Sequence, residues 1–207
     1  MTAPARTRTV APAWPLYLAA FAIAAVVAGA VGEAFSGGSL AELGIPDPGA
    51  ATTVGLPALR GVAWLLMALA TGSFLLTAFL IPPKQSQQDL NGARLTVDGH
   101  IAARTGAHAS AGIALIGLFM IPLVLSDVSG QPLKTVLFEA AAWSQALDQV
   151  ADARVWLIVA AFAAVVAAFG YAATSWWSQV WLFLGAIVVV MPIALTGHSA
   201  TGGAHDF

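Results

Sequence analysis

Five stretches of this chain are each long enough and apolar enough to cross a lipid bilayer, and they constrain its fold more than any motif does. They run from Trp14 to Phe35, Leu56 to Ile81, Arg104 to Leu125, Val155 to Ala173 and Trp176 to Thr196. A hydrocarbon core about 30 Å thick takes about 20 residues of helix to span. In lipid every backbone polar group must bond within its own segment, so each stretch is predicted to be a helix. Ala, Gly and Ser recur along these stretches, which predicts close packing, because small side chains let helix backbones approach where lipid supplies no hydrophobic drive. The expected fold is all-α, a polytopic transmembrane bundle of about five spans. Residues 1–13 are expected as a cytoplasmic tail, 14–196 as the membrane domain and 197–207 as an external tail.

With 59% apolar and 9% charged residues, the balance is far from that of a water-soluble domain. A net charge of −2 with no basic run gives nucleic acid nothing to bind. Cysteine is absent, which excludes disulfides, thiolate metal sites and cysteine nucleophiles, and leaves His, Met and carboxylates as metal ligands. No Ser-His-Asp, metalloprotease or phosphate-loop spacing occurs, so no catalytic residues and no enzyme activity are expected. The first apolar stretch follows Arg6 and Arg8 as a signal peptide would, but it exceeds the roughly 7 to 15 residues of a signal core and is read as an uncleaved anchor.

Orientation follows from the cations. An N-terminus inside places Arg6, Arg8, Lys84, Arg94 and Arg104 on the cytoplasmic side and Arg60, Lys134 and Arg154 outside. An odd number of spans then puts the C-terminus outside. Between the third and fourth stretches, residues 132–152 place Leu133, Val136, Leu137, Ala140, Trp143, Leu147 and Val150 at helical spacing with polar residues between. This predicts one amphipathic helix on the outer surface, either packed over the bundle or meeting lipid or a partner.

Four histidines fall in two pairs. His100 and His108 sit at the inner entrance of the third span, whereas His198 and His205 lie beyond the outer end of the fifth. A bilayer separates the pairs, so two axial haem ligands from this one chain are not expected. His100 and His108 are read as polar helix-end residues, solvated or hydrogen-bonded. In an unbroken helix His198 and His205 would be about 10 Å apart, too far for one ion. Gly202-Gly203 can fold the chain back and let the two imidazoles converge with Asp206. Two readings follow, a flexible His-bearing tail and a metal site, and imidazole pairs suit copper, zinc and other borderline ions.

Leu195-Thr196-Gly197-His198-Ser199, followed by Gly202-Gly203 and His205-Asp206, resembles the LTGHS...HD signature of the copper-resistance D (CopD) family of membrane proteins. The likeness is to bacterial forms fused to a cytochrome c oxidase assembly (CtaG-like) module, and Arg154-Val155-Trp156-Leu157 adds a less specific match. The resemblance implies a multi-pass protein of the bacterial cytoplasmic membrane that handles copper ions at its outer face, in copper uptake or supply to a respiratory oxidase. His198 and His205, with Asp206, are the matching residues. In that family further spans follow the signature, so the chain is expected to be the N-terminal portion of a longer protein. The alternative is a structural accessory subunit of a respiratory membrane complex, in which the histidines only hydrogen-bond.

Within the copper reading, methionines offer soft thioether ligands suited to Cu(I). Met67, Met120 and Met191 are placed in the outer halves of three spans. Met120 and Met191 stand about 24 Å and about 22 Å along their helices and each closely precedes a proline, Pro122 and Pro192. They are candidate ligands inward of the histidines. The competing reading is gap-filling between helices, which methionine commonly does.

Overall fold

The computed structural model describes residues 14–36, 47–84 and 93–195. Its helices are α1 (Trp14–Ser36), α2 (Ala50–Thr53), α3 (Gly55–Leu75), α4 (Val97–Ser129), α5 (Leu133–Phe138), α6 (Ala140–Gln149), α7 (Ala151–Ala172) and α8 (Trp176–Leu195), with a π-helical turn at Leu76–Leu80 continuing α3. Five segments are long and apolar enough to span a membrane, and they correspond to the five expected stretches. The all-α expectation therefore holds. Successive spans run antiparallel, so residues 14, 80, 97, 172 and 176 gather at one end, here the Lys84 end, and residues 36, 50, 129, 151 and 195 at the other, the Asp152 end.

The central helix, α4, is longer than its apolar stretch. Thr96 caps it by accepting a hydrogen bond from the Gly99 N–H at 3.2 Å, and Gly130 closes it with φ 66°, a left-handed value natural to glycine. Its 33 residues measure about 50 Å, enough to project from a bilayer. The interior face of α4 carries Ala103, Ala107, Ile113, Met120, Ile121 and Val124, all buried.

Small residues set how closely α7 approaches. A Cβ on Gly117 would stand 2.9 Å from Ala160 Cβ and 3.0 Å from the Trp156 carbonyl oxygen, and one on Gly170 would stand 2.9 Å from Ala107 Cβ. These backbones are within reach of dispersion contact only because no side chain intervenes, as expected for association inside lipid. On the other side of α4, Gly106 receives the Phe74 ring of α3, and Gly112 faces Leu66. The α1 helix is peripheral, lying along α3 through Gly29, Gly32 and Gly61 and exposing most of its apolar side chains.

Residues 132–152 differ from the single helix expected. Glu139 is extended, with φ −99° and ψ 102°, and separates α5 from α6. In an unbroken helix the Leu137 carbonyl would accept from residue 141, and here the Trp143 indole N–H takes that carbonyl at 3.3 Å. Val136 is buried, and Leu133, Trp143 and Val150 pack on the core, so the pair forms a cover over the Asp152 end.

Candidate metal site

His198, His205 and Asp206 lie outside the described residues. The helix that leads to them is α8, and its phase decides what it offers on the way. Gln179, Leu182, Ala186 and Val189 are buried and follow one another at helical spacing, forming the face that packs against α7 and α3. Met191 comes two residues after Val189, about 200° around the helix. Its side chain is accordingly 55% exposed on the outer surface of α8.

Met120 has the opposite setting. It belongs to the buried run of α4 and is 0% exposed, in the same continuous core as Trp156 and Val159. Both methionines stand in the half of the bundle toward the Asp152 end, but the structure does not bring their sulfurs to a common face. Met67 is only 3% exposed and lies near the middle of its span, because its neighbour Leu66 meets Gly112 of α4. Eight residues separate Gly112 from Met120, about 12 Å along the helix, so Met67 and Met120 stand at different levels of the bundle.

Several polar groups at the Asp152 end are mutually engaged. Arg60 of α3 pairs with Asp152 of α7 at 3.1 Å. Thr52 and Ser126 share a buried hydroxyl hydrogen bond at 2.7 Å, and Ser126 also donates to the Gln131 carbonyl at 2.6 Å. Thr53 donates to Glu33 at 3.2 Å, linking α2 to α1. Among the described residues no three His, Asp or Glu side chains form a group that could hold a metal ion.

The other two histidines are at the Lys84 end. His108 Nδ1 is 2.6 Å from the Arg104 carbonyl oxygen, and its ring meets Tyr171 of α7 edge-on at 5.2 Å between centroids. Arg104 lies over the same Tyr171 ring at 5.5 Å and donates from Nε to His100 Nε2 at 3.4 Å. His100 and His108 are thus hydrogen-bonded along one helix face.

Gln179 is a buried polar residue that no motif in the sequence marks. Its side chain is fully buried, and neither its amide nitrogen nor its amide oxygen has a hydrogen-bond partner. Such a group costs on the order of 1–3 kcal/mol when left unpaired. It lies between Trp176, whose indole donates to the Ala78 carbonyl at 2.9 Å, and Phe183, which meets Phe79 edge-on. All three residues are on the helix face turned to the π-helical turn, and a lone glutamine at that spacing was the available signal.

A family model described as copper resistance protein D-like, N-terminal domain, matches residues 50–206. No curated protein and no solved structure matches the chain.

Proposed function

The chain belongs to the copper resistance protein D-like family, and from that membership we propose that it binds copper ions and passes them on at the outer face of the cytoplasmic membrane. The family match is the observation that carries this reading, since it runs from α2 through the last helix and takes in His198, His205 and Asp206. Copper is cargo in this account, taken up or supplied to a respiratory oxidase, and no bond-making chemistry is assigned to the protein.

In the proposed site the imidazoles of His198 and His205 supply two nitrogen ligands, and Asp206 adds a carboxylate oxygen. A turn at Gly202-Gly203 brings them together. Met191 is the thioether that copper can meet without rearrangement, because it is already exposed on the helix leading to the tail. Met120 would serve only if the core opened near Pro122, which lacks the N–H that would hold the preceding turn. The test is copper retained per protein by the purified full chain. His198→Ala is expected to lose more copper than His108→Ala, whose ring is at the other end of the bundle. Equal loss from the two substitutions would contradict an outer-face site.

A further inference from the structure

At the Lys84 end a shallow cavity of about 310 Å³ is lined by Arg94, Thr96, His100 and Thr174, with Val97 and Ile101 forming an apolar wall. From it we propose a binding site for the phosphodiester headgroup of an anionic phospholipid, separate from any copper site.

Charge comes first. Among the described residues the Lys84 end holds Lys84, Arg94 and Arg104, and its only carboxylate is Asp98. Arg94 forms no ion pair among the described residues. Its backbone position is fixed independently of its side chain: the Arg94 carbonyl accepts from the Lys84 N–H at 2.9 Å, and neighbouring Leu95 donates to the Thr174 carbonyl at 3.3 Å. His100 accepts from Arg104 through Nε2, which leaves Nδ1 to carry the ring proton as a donor when the imidazole is neutral. Thr174 adds a hydroxyl. A guanidinium, an imidazole and a hydroxyl around one cavity suit a phosphate group, which accepts several hydrogen bonds and carries negative charge.

Depth and lining distinguish a lipid from a free anion. The Trp176 N–H donates to the Ala93 carbonyl at 2.9 Å, so Arg94 lies beside the first of three tryptophans, Trp176, Trp177 and Trp181. Such a cluster marks the membrane–water interface, where headgroup phosphates reside. Val97 and Ile101 are 77% and 60% exposed and form the apolar wall of the cavity, against which the first methylenes of an acyl chain can rest. A cationic pocket with such a wall at interfacial depth matches an anionic lipid better than a soluble ion.

Native mass spectrometry of the full chain tests this, with phosphatidylglycerol, phosphatidylcholine or inorganic phosphate as added ligand. Phosphatidylglycerol adducts are expected to persist where phosphatidylcholine adducts do not. Arg94→Gln should weaken retention of phosphatidylglycerol by about fivefold, the effect of one interfacial cation. Arg94→Lys should restore most of it, and Lys134→Gln at the opposite end should leave it unchanged. Equal retention of both lipids, or wild-type retention by a folded Arg94→Gln, His100→Gln double variant, would overturn the proposal. Binding of inorganic phosphate with no lipid preference would assign the pocket to a free anion and likewise overturn the lipid assignment.

Discussion

Gly117 illustrates how much a single side chain decides in this bundle. Alanine there would put a Cβ 2.9 Å from Ala160 and 3.0 Å from a backbone oxygen that cannot swing aside, so α4 and α7 would have to separate. Gly117→Ala is expected to cost about 1–3 kcal/mol, read as a lower thermal midpoint in detergent. The same substitution at Gly72, where a Cβ would meet nothing within 4 Å, should be neutral or stabilising. The two methionines differ in a similar way. Met191→Leu, on an exposed surface, should leave thermal stability unchanged while lowering Cu(I) affinity. Unchanged affinity would remove Met191 from the proposed ligand set. Composition and spacing were enough to nominate these sulfurs, but not to say which faces outward. That depends on the phase set by the buried run from Gln179 to Val189, which an almost uniformly apolar helix does not display.

At the level of elements, the five spans were legible because their length is dictated by the bilayer, and tertiary detail hardly alters that requirement. Their ends were less legible. The apolar pattern begins α4 near Arg104, whereas the Thr96 cap begins it at Val97, adding polar turns that a hydropathy reading leaves out. The amphipathic segment at the Asp152 end buries Val136 and packs Leu133, Trp143 and Val150 as their spacing predicted, but Leu137 is exposed and the helix breaks at Glu139, where the Trp143 indole takes the Leu137 carbonyl in place of a helical N–H. A second indole makes a comparable repair at the end of α3, where Trp176 takes the Ala78 carbonyl within the π-helical turn. Trp176→Phe keeps the ring but leaves that carbonyl unpaired, and a loss of about 1–3 kcal/mol is expected from thermal unfolding. A change no larger than that of Trp177→Phe would mean the indole bond contributes nothing there.

For the whole molecule, the proposed outer-face copper site carries an orientation with it: the cation bias favours the Lys84 end inside, which would put the C-terminal histidines outside. Cysteine introduced at Lys84 and at Ala200 in this naturally cysteine-free chain should be labelled from opposite sides of the membrane, the first only after permeabilisation. Labelling of both from one side would remove the outer-face location. The fold was readable from the sequence to a greater extent than the site. Bilayer thickness imposes helices, whereas the proposed convergence of His198 with His205 would need a turn at Gly202-Gly203, and glycine admits many conformations. X-ray absorption spectroscopy at the copper edge tests the central claim most directly, comparing the copper-loaded full chain with a His198→Ala, His205→Ala double variant. The account predicts an imidazole first shell in the wild type that is lost in the variant; identical spectra and copper content in the two proteins would contradict it.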